Sequence, residues 1–294
     1  MILTRVAERK LNASPTSLHL AEDKIYIGLK KRYIIETEYN ALKLRRIPVK
    51  ENIRTMVGCE NSVFLFSEQG NLFVFPCDDG NARNNAVISK KIVNTGLYDQ
   101  PSRRIVIGTS RGKALVLSQA LEIHKTFYES PSGIIGLSIS DLGKLACVYE
   151  IDSSVRVFDL KSSDVKEIKI PNGFPQAAAF ISSTHLVIGS SIGEIYLVDT
   201  ATMSILFSSA VPQPVSTLLW KNGLMLIGGE DMLCLSSVTE DGINIIESCK
   251  FNGFVNAVCF NDSHIVVGIG KEPRLGRWKV RKDGEHKLVV LKTE

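Results

Sequence analysis

The sequence predicts an all-β protein built as a seven-bladed β-propeller, and three observations carry that expectation. A cassette of apolar strand, polar turn and second apolar strand occurs seven times: IYIGLKKRYIIE, VFLFSEQGNLFVF, IVIGTSRGKALVL, LACVYEIDSSVRVFD, LVIGSSIGEIYLVD, LMLIGGEDMLCLSS and IVVGIGKEPRLGRW. The first strands begin at Ile25, Val63, Ile105, Leu145, Leu186, Leu224 and Ile265, in steps of 38, 42, 40, 41, 38 and 41 residues. A period of about 40 residues with several short strands in each is what four-stranded blades around a central channel produce. Seven such units fill nearly all of the 294 residues. The expectation is therefore one propeller over 1–294, with 1–10 and 286–294 closing or flanking the seventh blade.

Each repeat reads as four strands. Inner strands are expected at Arg54–Gly58, Ile134–Ile139, Ala177–Ile181, Val215–Trp220 and Val255–Phe260. The cassettes supply the two middle strands. Outer strands follow at Val165–Ile170, Ser204–Ser209 and Ile243–Ser248, with the period-two alternation of a sheet buried on one face. Gly70, Gly112 and Gly193 mark turns between the middle strands, where glycine adopts positive φ at little cost. Val157-Phe158-Asp159 and Val198-Asp199 come nearest to a Trp-Asp pair, so the blades resemble those of WD-repeat proteins. Two segments compete to close the ring, Ile2–Val6 and Lys287–Lys292; both are expected beside the seventh blade, with the outermost position open.

Composition excludes several classes. The N-terminus, MILTRVAERK, is charged within five residues and holds no apolar stretch of signal-peptide length. No apolar run approaches the roughly 18–20 residues of a membrane helix. The six cysteines are scattered without a CxxC pair, which reads as reduced core thiols of an intracellular protein rather than a zinc site or disulfide frame. His19, His124, His185, His264 and His286 fall in five different repeats, and His185 and His264 occupy equivalent positions, which suits a structural role. No HExxH, GxSxG, P-loop or Gly-rich nucleotide fingerprint is present. No catalytic residue, metal site or cofactor is expected, so the protein reads as a non-enzyme.

Net charge is only +4, but it is unevenly spread. Lys271 to Glu294 holds eight basic residues against four acidic ones, and Lys30 to Arg54 holds eight against three. In a closed ring the last and first blades are neighbours, so the two stretches would meet in one positive sector. Such a sector suits a phosphate backbone or an acidic partner; a solvated basic rim is the competing reading. The candidate contacts are Lys271, Arg274, Arg277, Lys279, Arg281 and Lys282 from one stretch and Lys30, Lys31, Arg32, Arg45 and Arg46 from the other. Arg274, Lys271, Lys279, Arg281 and Lys282 are expected to be exposed.

The seventh cassette breaks its own pattern. Aligned on the second strand, Arg277 stands where Val74, Val116, Val157, Leu197 and Leu235 stand in the middle copies. An unpaired guanidinium inside a blade costs several kcal/mol, so Arg277 requires either Glu272 as an internal partner or a ligand. Gly276 and Trp278 would share the opposite strand face, with Trp278 packing between blades.

From Gly253 to Trp278 the chain reads GFVNAVCFNDSHIVVGIGKEPRLGRW. This resembles the closing blade of the U-three small nucleolar ribonucleoprotein 55-kilodalton subunit family, WD-repeat proteins of the small-subunit processome. Gly253, Phe254, Val255 and Asn256 match the first part of that family's signature. Val267, Gly268 and Gly270 through Trp278 match the second, and the likeness extends over roughly the last 50 residues. The resemblance implies a non-catalytic subunit docked on U-three small nucleolar RNA at its B/C motif. It further implies a small kink-turn-binding protein as neighbour, other processome proteins as partners, a role in early processing of the small-subunit ribosomal RNA precursor, and residence in the nucleolus as a monomer within a larger particle, away from any membrane. A protein-only propeller scaffold in another complex is the alternative.

Overall fold

A computed structural model describes residues 3–21, 23–39, 42–60, 62–77, 83–86, 92–128, 130–239, 242–275 and 279–293; for 83–86 only the backbone is described. Every regular element in these residues is a β-strand. The N-terminal strand β1 (Leu3–Lys10) precedes a four-stranded sheet of β2 (Pro15–Ala21), β3 (Lys24–Leu29), β4 (Tyr33–Glu38) and β5 (Arg45–Pro48). The second sheet comprises β6 (Ile53–Cys59), β7 (Ser62–Ser67), β8 (Leu72–Pro76) and β9 (Arg83–Ala86). The third comprises β10 (Val93–Asp99), β11 (Arg104–Thr109), β12 (Lys113–Leu117) and β13 (Ile123–Tyr128). The fourth holds β14 (Ile134–Ile139), β15 (Lys144–Tyr149), β16 (Ser154–Asp159) and β17 (Val165–Lys169). The fifth holds β18 (Pro175–Phe180), β19 (His185–Ser190), β20 (Glu194–Asp199) and β21 (Ser204–Ala210).

The closing sheet corrects the expected blade count. It has six strands in the order β1, β26 (Lys287–Thr293), β25 (His264–Gly270), β24 (Gly242–Phe260), β23 (Leu224–Thr239) and β22 (Val215–Lys221). The protein thus has six blades, not seven, because the sixth and seventh cassettes share one hydrogen-bonded sheet. The physical reason lies at Glu230–Asp231. Other cassettes separate their middle strands by a longer polar turn, whereas here β23 runs on through the two acidic residues and Glu230 pairs across to Phe254. The Gly253 amide then donates to Asp231 Oδ1 at 3.3 Å, tying the two repeats together. Around the axis, β2, β6, β10, β14, β18, β22 and the C-terminal part of β24 still follow one another and return to β2.

Aliphatic positions of the cassettes form the core. Ile25, Ile27, Leu65, Val106, Leu145, Leu186 and Val267 are fully buried in successive sheets, and burial of this kind stabilises by roughly 1.5–3 kcal/mol per large side chain. At Gly112 and Gly193, φ is 68° and 86°, as the tight turns require. The first and last sheets pack through Leu11, Ile27 and Leu29 against Val266, Leu288 and Val290. Gly268 permits that approach: a methyl group there would lie 2.9 Å from Pro15 Cγ.

The ring ends where the sequence left a choice. β26 pairs with β25, and β1 lies outside β26, with Leu3 opposite Thr293 and Lys10 opposite Lys287. The outermost strand is therefore the N-terminal one; Ile2, at its expected start, lies outside the described residues. This pairing also corrects the reading of the seventh cassette. The strand beside β25 is Lys287–Thr293 and not Arg274–Trp278, so Val290, opposite Val266, takes the position assigned to Arg277. Leu291, opposite Ile265, takes the place assigned to Trp278 and is fully buried. Among the described residues, the segment between β25 and β26 holds no strand.

Candidate nucleic-acid interface

In an antiparallel sheet, the turn between the second and third strands emerges on the same face as the connection to the next sheet. Lys31 and Arg32 occupy that turn in the first sheet, and their carbonyls accept from Ile53 N at 3.1 Å and Val49 N at 2.8 Å. The segment from Lys271 to His286 is the corresponding connection of the closing sheet. It sits on this same face, anchored where the Leu11 amide donates to the His286 carbonyl at 2.7 Å. The Ser14 hydroxyl lies 3.1 Å from His286 Nδ1, and the Lys271 amide donates to the same nitrogen at 3.3 Å. Burial lowers the pKa of His286; the Glu272 carboxylate works against this, and the charges of Lys271 and Lys31 work with it.

The loop crosses the end of the axial channel. Arg274 reaches away from its own sheet: one terminal nitrogen donates to the Asn94 carbonyl at 3.2 Å and the other to the Ile135 carbonyl at 2.6 Å. Those acceptors belong to the third and fourth sheets. Leu275 packs against the core between the fourth and fifth sheets. Asn256, buried on β24, donates from Nδ2 to the Glu272 carbonyl at 2.9 Å. The two parts of the Gly253–Trp278 signature therefore meet in space, and the loop braces the ring from one side to the other.

Arg274 was expected at the surface, and the structure corrects this. It is half-buried and turned into the channel, where desolvation, with the charge of Arg54 adding to it, pushes its pKa down to about 10. Lys279 is exposed but ion-paired with Glu230 and lies over the Phe254 ring at 5.8 Å. Arg281 is ion-paired with Asp231 and lies 3.5 Å from Asp283. Lys271 is half-buried and Lys282 exposed. Gly276, Arg277 and Trp278 lie outside the described residues, and with them the proposed Glu272–Arg277 pair.

The first-sheet cations are more open. Lys31, Arg32, Arg45 and Arg46 are exposed, and Lys30 is half-buried. Arg45 pairs with the buried Glu36 at 3.2 Å, which Lys24 also approaches at 3.6 Å. The Arg46 guanidinium lies over the Tyr33 ring at 5.2 Å. The two basic stretches are neighbours, as a closed ring requires, but much of the charge in the closing loop is matched locally by Glu230, Asp231 and Asp283.

His185 and His264 each lie beside a serine, at 3.0 Å from Ser182 Oγ and 2.8 Å from Ser263 Oγ. His19 lies against Tyr26, and burial lowers its pKa to about 4. Among the described residues no group of three or more His, Cys, Asp or Glu side chains is placed to hold a metal ion.

The chain superposes on the solved "Structure of U3-55K" with a TM-score of 0.88 over 99% of this chain and 98% of that one. The fold is a WD-type β-propeller. A second structure, "Crystal structure of RRP9 WD40 repeats", gives a TM-score of 0.89 over 99% of this chain and 100% of that one; identity is 15% in both comparisons. "Crystal Structure of Mitotic Checkpoint Complex" matches at a TM-score of 0.82 and 13% identity, covering 99% of this propeller and 94% of that chain. No protein-family model and no curated protein matches the chain. At such identities the likeness establishes the propeller fold alone.

The sequence missed the reach of Arg274 and the anchoring role of Asn256. A signal was available, since KLVVLK carries the continuous apolar run of the other middle strands and RLGRW does not.

Proposed function

We propose that this propeller is a non-catalytic subunit of the U-three box C/D small nucleolar ribonucleoprotein. It binds the B/C motif of that RNA and protein partners, including the kink-turn-binding protein, to support small-subunit pre-ribosomal RNA processing in the nucleolus. The observation that carries this reading is the coincidence of the Gly253–Trp278 signature with one structural device, the loop braced across the channel. The likeness to U3-55K and RRP9 WD40 repeats over the whole chain supports it. The RNA contacts proposed are Lys30, Lys31, Arg32, Arg45 and Arg46 of the first sheet with Lys271 and Lys282 of the loop. Lys279 and Arg281 contribute less because carboxylates already neutralise them. That same neutralisation favours a second reading, a scaffold that binds only proteins.

Crosslinking RNA to the tagged protein in cells and sequencing it separates the two. One small nucleolar RNA, with crosslinks at its B/C motif, is the expected result. Copurification of protein partners that survives nuclease, with no enriched RNA, would favour the scaffold instead.

A further inference from the structure

The Glu230–Asp231 turn departs from its counterparts on the same face. Four residues before the equivalent positions Val74, Val116, Leu197 and Leu235 stand Gly70, Gly112, Gly193 and Asp231. All four take positive φ, at 86°, 68°, 86° and 72°. Glycine adopts that conformation at little cost, and aspartate adopts it less readily. A carboxylate therefore stands where the backbone favours glycine, with a second one, Glu230, beside it.

Both carboxylates engage the Lys271–His286 loop: Glu230 pairs with Lys279 and Asp231 with Arg281. The loop keeps its course by other means. The Arg281 amide donates to the Lys271 carbonyl at 2.9 Å, and the Gly284 amide to the Arg281 carbonyl at 3.2 Å. Asn252 anchors it again, donating from Nδ2 to the Asp283 carbonyl at 2.6 Å. The Glu285 amide donates to the Asn252 carbonyl at 3.0 Å. Glu230 is held from its own side by the ladder pairing with Phe254. Backbone contacts thus set two anions against two cations and do not depend on the ion pairs. This arm faces solvent, since Val280, between the two cations, is 55% exposed.

We infer that Glu230 and Asp231 determine the specificity of the RNA surface, occupying Lys279 and Arg281 as an internal stand-in for phosphate. The inference deepens the RNA reading above and rests on it. Phosphate contacts supply essentially all of non-specific binding to nucleic acids. Specificity is a difference of affinities, and it grows when the wrong partner is denied contacts. Exchanging a carboxylate for a phosphate at a partly exposed pair yields little net free energy. Arbitrary polyanions therefore gain little from this arm, while Lys31 and Arg32 stay open on the same face.

The test is binding of the full chain to a uridine homopolymer and to the B/C RNA across a salt series. Glu230→Gln with Asp231→Asn keeps both side-chain shapes and an oxygen that can accept from the Gly253 amide. Asp283 remains 3.5 Å from Arg281. The double variant should still steepen the homopolymer's slope of log affinity against log salt by about one unit, and bind it about tenfold more tightly at low salt. Lys279→Ala with Arg281→Ala in that background should restore the wild-type slope. Glu122→Gln with Glu167→Gln makes the same change in net charge at exposed positions of the third and fourth sheets and should leave the slope unchanged. If the double variant does not fold, Glu230→Gln alone decides, with a change of about 0.7 for one single-strand phosphate. An unchanged slope in the Glu230 variants, a gain that survives loss of Lys279 and Arg281, or an equal gain in the Glu122/Glu167 control would each overturn the inference. A wild-type chain that binds the B/C RNA no more tightly than the homopolymer sinks the U-three reading instead, a comparison that involves none of these variants.

Discussion

In the first sheet, Lys31, Arg32 and Arg46 present their charge to solvent, and the nearest buried carboxylate, Glu36, is engaged by Lys24 and Arg45. In the closing loop, Arg274 is drawn into the channel, and Lys279 and Arg281 are matched by the Glu230–Asp231 turn. In sequence both stretches look equally basic. Their difference shows that surplus charge becomes a surface for polyanions only where the fold leaves it unmatched, and becomes a brace where it finds carbonyls across the ring. The closing region should govern stability and the first sheet should govern binding.

The largest effect is expected from removing β1. Leu3 contributes to the core of the closing sheet, and Lys10 and Lys287 share Glu285. Without residues 3–10, β26 becomes an exposed sheet edge, so cooperative unfolding should give way to an early transition or aggregation. A deletion that melts with the intact chain would show that the closing region is not what holds the ring.

Arg274→Ala comes next. It removes two charge-assisted bonds and strands the Asn94 and Ile135 carbonyls, at about 2–4 kcal/mol in all. Tm should fall by several degrees, given roughly 2–4 °C per kcal/mol for a chain of this size. Lys279→Ala with Arg281→Ala should cost no more than about 1 kcal/mol, because both pairs lie at or near the surface.

Acid should loosen the ring as well, at the closing loop through His286 and in the first sheet through His19. His286 and His19 both have folded pKa values below the ordinary value near 6.5, His19 at about 4. The unfolded chain then binds more protons, so their contribution is complete above about 6.5 and is lost as pH falls toward 4. Thermal melts across that window should show the decline, and His19→Asn with His286→Asn should flatten it. A wild-type Tm independent of pH between 7 and 4.5 would contradict this assignment.

Much of the fold was legible because its signals are local. Strand alternation and turn glycines placed β14, β17 and β22 within a residue or two, and the step of about 40 residues gave the propeller. The merging of the last two cassettes was not legible, since it depends on a cross-strand pair, Glu230 with Phe254, that no local pattern encodes. The site was read less well for a related reason. Arg274 binds carbonyls 180 and 139 residues away in the chain, and a motif shows that an arginine is present, not which way it points.

The salt dependence of RNA binding tests the division between brace and surface most directly. Each phosphate contact contributes about −0.7 to −0.9 to the slope of log affinity against log salt. Lys31→Ala, Arg32→Ala and Arg46→Ala together should flatten the slope for the U-three B/C RNA by about two units without changing Tm. Lys279→Ala with Arg281→Ala should leave the slope within about half a unit of wild type. The reverse pattern, a flattened slope in the loop pair and none in the first-sheet triple, would contradict the account and return the RNA contact to the closing loop.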